Sequence, residues 1–91
     1  MKTSRQIERH FKGISNHWRI DIVVLVSKNP KISLDGIATE LNANFKTISE
    51  HTRRLVQAGL LNKTYTGRTV THELSPYGQK TLQCIKIFQH S

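Results

Sequence analysis

The sequence predicts a mainly α-helical domain carrying one small β-hairpin, in the order α-α-α-α-β-β-α. Three observations predict it. Apolar residues recur at helical spacing along most of the chain. Asn, Ser, Gly and Pro stand where those stretches begin and end, as helix caps and stops do. Residues 61–74 break the helical period and are rich in Thr, Val and Tyr.

Each element has its own warrant. Ser4 can cap a short helix over residues 4–12, with Ile7 and Phe11 four apart, and Gly13 ends it. Asn16 caps a second helix that runs to about Lys28, where Asn29-Pro30 stops it. The β-branched run at residues 22–26 admits a strand, but Trp18, Ile22, Leu25 and Val26 keep helical spacing and favour a largely buried helix. Ser33 is the N-cap of a third helix of about nine residues, with Asp35 in its first turn and Ile37, Ala38 and Leu41 as its stripe. After the break at Asn42-Ala43, Asn44 caps a fourth helix that reaches Ala58 and ends at Gly59. Residues 61–66 and 69–74, separated by Gly67-Arg68, read as a hairpin. Ser75 and Pro76 occupy the N-cap and first position of a last helix, whose stripe is Leu82, Ile85 and Phe88. One domain over residues 4–89 follows, with a helix-turn-helix at about 33–58, a hairpin at about 61–74 and a final helix at about 75–89.

Composition bounds the function. Ninety-one residues hold one core, and apolar residues at 36% make it a modest one. Fourteen Lys and Arg against six Asp and Glu give +8, which favours a polyanionic partner. The longest apolar run is five residues, where a membrane span needs about 20. The first ten residues carry charge without the apolar stretch of a signal peptide. The single cysteine, Cys84, forms no internal disulfide and no paired-cysteine zinc pattern, which fits a cytoplasmic protein.

Two short helices joined by a tight turn read DNA when three local demands are met. A small residue must let them approach, and Ala38 is that residue. Apolar side chains must fill the angle between them, as Ile37, Leu41, Ile48 and Leu55 do. Asn42 suits the turn because Asn tolerates the left-handed conformation. The third demand is a polar outer face on the second helix. At about 100° per residue, Phe45, Thr52 and Leu55 fall on the side of Ile48, with His51 near it and Val56 at its edge. Lys46, Glu50, Arg53 and Gln57 fall opposite, flanked by Thr47, Ser49 and Arg54. Such a face suits a major groove, where Arg and Lys read guanine and Gln reads adenine.

The stretch 44–61, NFKTISEHTRRLVQAGLL, resembles the recognition-helix pattern of the ArsR-like transcriptional regulators: a cap, Thr-Val-Ser-x-His, then Leu-x-x-Ala-Gly-Leu. The stretch 16–22, NHWRIDI, is similar to that family's Asn-Pro-x-Arg-Leu-x-Ile, with His17 in place of proline. LSPYG at 74–78 resembles the Leu-Thr-x-x-Gly that leads into the last helix of many winged-helix regulators. MarR-type regulators are a more distant resemblance. Departures stand beside the matches. Glu50 occupies a position often basic, Thr52 replaces a usual leucine, and the helix at 33–41 lacks the Cys-x-Cys of metal-sensing members.

The resemblance implies a winged helix-turn-helix, a homodimeric repressor and double-stranded DNA as partner, with no cofactor and no metal. Asn44 and Thr47 are then expected on phosphates, and Lys46, Ser49, Glu50 and Arg53 at the bases, with Arg54 beside them. The wing places Arg68 at the backbone or minor groove, with Lys63 and Thr69 adding backbone contacts. Ile7, Phe11, Leu82, Ile85 and Phe88 supply a dimer seam.

No two of His10, His17, His51, His72 and His90 have ligand spacing. His51 is expected to pack, Cys84 to act as a small apolar filler, and His10 and His90 can approach across a dimer seam. Six scattered carboxylates, with no phosphate loop and no Cys/His constellation, argue against an enzyme. Two other functions remain open on the sequence: a nonspecific nucleoid-type DNA-binding protein, and a winged-helix module that binds a protein. The positive charge is also unevenly spread. Residues 1–32 carry +5 and residues 33–58 carry zero, so the N-terminal segment is expected to add nonspecific affinity.

Overall fold

The apolar run that admitted a strand is the middle of a helix. In the computed structural model, which describes residues 1–90, Ile22, Val23 and Val26 are all buried in helix α2 (His17–Lys28). This helix is surrounded by the others: α1 (Ser4–Ile14), α3 (Leu34–Glu40), α4 (Phe45–Gln57) and α5 (Pro76–Gln89). Three strands complete the order, β1 (Ile32–Ser33), β2 (Leu61–Thr66) and β3 (Thr69–Leu74). Ile22, Ile37, Ile48, Leu55, Leu60 and Leu61 are fully buried with Val23 and Val26. Each such side chain contributes roughly 1.5–3 kcal/mol by leaving water.

The sheet is antiparallel, ordered β1-β3-β2, with Leu61 opposite Leu74 and Ile32 opposite His72. β1 is an addition to the expected order. At two residues it is too short to show a period, and Ser33 serves at once as its end and as the α3 cap, accepting from the Gly36 N–H at 3.1 Å. Lys31 makes the turn into β1 with φ 67°, and its N–H donates to the His72 carbonyl at 2.9 Å.

Most caps stand where the sequence placed them. Asn16, Ser33, Asn44 and Ser75 cap α2, α3, α4 and α5. Asn42 adopts φ 50° between α3 and α4, and Gly59 adopts φ 77° after α4. The first helix differs. Thr3, not Ser4, is its N-cap: Thr3 Oγ1 accepts from the Gln6 N–H at 3.2 Å, while Gln6 Oε1 accepts from the Thr3 N–H at 2.8 Å. Nor does Gly13 end it, because α1 continues to Ile14. Gly13 is needed for closeness instead, since a Cβ there would collide with the Ala58 side chain just past α4.

The corner between β3 and α5 is tied to the end of α4. Ser75 Oγ donates to the Gly59 carbonyl at 2.6 Å and accepts from the Gly78 N–H at 3.0 Å. The Ser75 N–H donates to the Leu60 carbonyl at 3.1 Å. These bonds fix the hairpin relative to α4.

Candidate nucleic-acid interface

The pair α3 and α4 is held by the residues the helix-turn-helix demands. Ile37 and Ala38 are buried on α3, and Ile48, Thr52 and Leu55 are buried on α4. The turn closes with the Ala43 N–H donating to the Ala38 carbonyl at 3.0 Å. With that stripe inside, Lys46, Glu50, Arg53, Arg54 and Gln57 are exposed and Thr47 and Ser49 half-buried.

Phe45 corrects the angular expectation, being 49% exposed. A helical side chain lies over the turn preceding its own Cα, and at the first position of α4 no such turn exists. Thr52 does point inward at 3% exposure, but its hydroxyl finds no hydrogen-bond partner among the described residues. That is the local cost of a hydroxyl in a leucine-like position.

Asn44 works first as a cap. Its Oδ1 accepts from the Lys46 and Thr47 N–H groups at 2.8 and 3.2 Å, which leaves the Nδ2 amide as its donor. Glu50 organises the arginines around it. Arg53 donates to its carboxylate through Nε, at 3.2 Å, and through Nη2, while Arg54 Nε donates at 3.2 Å. The Arg53 hydrogen bonds, with the charges of both arginines, hold Glu50 below the usual carboxylate range. A carboxylate at this position therefore orients two guanidinium groups and partly neutralises them.

Arg19 joins two of the sequence motifs that were read separately. Its Nη1 donates to His51 Nδ1 at 3.2 Å, linking α2 to the inner edge of α4. A guanidinium can only donate, so His51 Nδ1 holds a lone pair. Burial and the charges of Arg19 and Arg54 push His51 below the usual histidine value. Spacing on a single helix could not show this contact, because it spans 32 residues of chain.

The wing leans beside α4 as an exposed ribbon. β2 is an edge strand, and from Asn62 to Thr66 every residue is exposed. Gly67 takes φ 63° at the first of the two central turn positions, with open space around it, as the tight hairpin turns with a leading glycine require. Arg68 follows at the tip, and Lys63 and Thr69 are exposed on the two strands. Tyr65 counts in the sequence only toward the β-rich composition, not as a site residue: it is exposed on β2, and Lys63 Nζ lies 5.7 Å from its ring centre. Its neighbours are all polar, so an alternating strand pattern gave it no signal.

At the opposite end, α1 and α5 leave a groove of about 490 Å³ lined by Phe11, Ile14, Ile85 and Phe88. Phe11 is 64% and Phe88 76% exposed, with Ile7 exposed too and Ile85 half-buried. Leu82 corrects the expected seam. At 7% exposure it belongs to the core of its own chain. Cys84 is exposed rather than buried filler, because it lies one position round α5 from the Leu82 and Ile85 stripe. His10 is also accounted for within the chain. Its Nδ1–H donates to the Ala58 carbonyl at 2.7 Å and its ring stacks on Tyr77 at 4.8 Å. Among the described residues, no three His, Cys, Asp or Glu converge to hold a metal ion, and no helix is long and apolar enough to cross a membrane.

A polar helix face backed by a buried stripe, turned by Asn42 and flanked by an exposed hairpin, defines a DNA-binding protein of the winged helix-turn-helix class. The profile of the bacterial regulatory proteins of the arsR family matches residues 16–63. The chain belongs to that family and is a DNA-binding transcriptional regulator. Solved structures share its fold. HlyU from Vibrio cholerae N16961 superposes with a TM-score of 0.85 at 21% identity, over 99% of this chain and 98% of that one. The homodimeric winged helix-turn-helix DNA-binding domain of Mb0332 from Mycobacterium bovis gives 0.83 at 19% identity, over 98% and 88%. NolR from Sinorhizobium fredii gives 0.82 at 15% identity, over 93% and 85%. No curated protein sequence matches the chain.

Proposed function

We propose that the chain, acting as one domain over residues 4–89, is a homodimeric repressor that recognises a specific sequence in double-stranded DNA. The observation that carries this reading is the outer face of α4, where Lys46, Ser49, Glu50 and Arg53 project from a helix whose other side is locked into the core. These four meet base edges in the major groove, while Asn44 and Thr47 hold phosphates and Arg54 flanks them. Arg68, with Lys63 and Thr69, lies along the backbone or in the minor groove. The role is binding and not catalysis, in the cytoplasm.

The groove between α1 and α5 supports the dimer, since a second copy bringing the same exposed Ile7, Phe11 and Phe88 is self-complementary. Such a dimer prefers an inverted repeat with half-sites about one helical turn, ~34–36 Å, apart. Selection of bound duplexes from a random pool tests the reading. An enriched inverted repeat is expected, and retention of every sequence with equal affinity would contradict it. That second outcome matches a nonspecific nucleoid-type protein, whereas no binding to any duplex matches a protein-binding module, the alternative that Glu50 favours by partly neutralising the two arginines of α4.

A further inference from the structure

A second basic feature lies on the flank of α4, beside its outer face. Arg9 and Lys12 of α1, Arg19 of α2 and Arg54 of α4 line one cleft of about 220 Å³, with Gln57 on its wall. These four come from three helices and from positions as far apart as 9 and 54, so no run of charge in the sequence announces them. Two carboxylates reach the cluster: Glu8 on Lys12 at 3.7 Å, and Glu50 on Arg54 at 3.2 Å. Arg9 and Arg19 have no carboxylate partner among the described residues.

Arg19 adds an independent sign. Its Nε is buried and has no hydrogen-bond partner among the described residues, while Nη1 is held by His51. A buried guanidinium N–H without an acceptor is costly, and the planar fork of Arg matches the oxygens of a phosphate. The neighbouring Arg54 and Lys12 add charge without rigid geometry, as suits a tetrahedral anion.

We propose that this cleft is a phosphate-binding site, and that it takes a backbone phosphate of the DNA whose groove α4 enters. It rests on the DNA-binding reading only for the source of the phosphate. The site fastens α1 and α2 to the duplex through Arg9, Lys12 and Arg19, and Arg54 links that contact to the reading helix.

The test compares the parent with Arg9→Ala/Lys12→Ala, both exposed positions, and with Lys28→Ala/Lys86→Ala, which removes equal charge at the far ends of α2 and α5. Inorganic phosphate is titrated at constant ionic strength while Trp18 fluorescence is followed, since Trp18 neighbours Arg19. DNA affinity is measured across a range of salt. The parent is expected to show saturable phosphate binding that Arg9→Ala/Lys12→Ala loses. That variant also lowers the log–log salt slope for DNA by about one and weakens binding roughly tenfold at low salt. The Lys28→Ala/Lys86→Ala control matches the parent in both assays. No phosphate response in the parent, or equal losses in the two double variants, overturns the site. Phosphate binding with an unchanged DNA slope overturns the DNA backbone as its source. Failure of the parent to bind any DNA instead strikes the proposed function and leaves the phosphate titration to stand alone.

Discussion

The helix-turn-helix and the N-terminal third differ sharply in charge, and on the proposed reading they divide the work of binding. Residues 33–58 have no net charge, and the two arginines of α4 share one carboxylate, Glu50. Residues 1–32 carry +5. Two of their cations, Arg9 and Lys12, meet Arg19 and Arg54 in a cleft. A helix that reads bases gains little from excess charge, because attraction to phosphate is the same for every sequence. Charge placed elsewhere can raise affinity without blurring the readout. On the proposed reading, discrimination and attraction fall to different helices.

The two regions are nevertheless mechanically joined. His10 donates to Ala58 and Gly13 packs against it, so α1 sits directly on the C-terminal end of the recognition helix. Removing the N-terminal segment, which the charge distribution alone recommends as a test of nonspecific affinity, would therefore disturb α4 as well. Point substitutions separate what deletion confounds.

The largest expected effects come from breaking each side in turn. Gly13→Ala places a methyl group against Ala58 and is expected to cost about 1–3 kcal/mol of stability by overpacking, measured by chemical denaturation. Unchanged stability would mean that α1 is not held where the collision requires. Arg53→Ala is expected to lose about 1–3 kcal/mol of discrimination between a selected site and random DNA. Arg68→Ala sharpens the contrast within the interface: binding weakens uniformly across sequences and the salt slope falls by about one. Both are read by equilibrium titration against the two kinds of DNA.

Smaller effects test the electrostatics. Glu50→Gln releases Arg53 and Arg54, so affinity for random DNA should rise a few-fold and the specificity ratio should fall. Unaltered random-DNA affinity would show that the carboxylate does not restrain the arginines. Acid should also loosen the fold slightly. His72 and His51 are both held below the usual histidine value, chiefly by burial. The unfolded chain then binds more protons under acid, so stability is full above about pH 6.5 and is lost as pH falls below it. Denaturation at neutral and mildly acidic pH should show this decline, and His72→Gln should flatten it. Protonation of His51 also removes the lone pair that Arg19 uses.

How much of this was legible follows from the range of each interaction. Caps at Asn16, Ser33, Asn44 and Ser75, the turn at Asn42 and the hairpin at Gly67 depend on residues a few positions apart, and local pattern revealed them. The polar face of α4 was legible for the same reason, since about 100° per residue decides it. Phe45 broke that rule because a helix end lacks the turn its side chain would cover. Gly13 misled because a glycine that ends a helix and one that lets two helices touch look alike until the partner, Ala58, is known. Leu82 lies on a stripe that serves the core, while Phe88 on the same helix is exposed, and periodicity alone does not divide the two. Arg19 against His51, and the cleft with Arg9 and Lys12, depend on how three helices pack and could not be read from any one of them.

The division of labour is tested most directly by one measurement: the ratio of selected-site to random-DNA affinity for Arg53→Ala and for Arg9→Ala/Lys12→Ala, followed across salt. Arg53→Ala is expected to lower the ratio by roughly 5- to 150-fold, the equivalent of about 1–3 kcal/mol. Arg9→Ala/Lys12→Ala is expected to weaken both affinities alike, keep the ratio and lower the salt slope by about one. A ratio preserved by Arg53→Ala, or lost by Arg9→Ala/Lys12→Ala, would contradict the assignment of reading to α4 and attraction to the helices beside it.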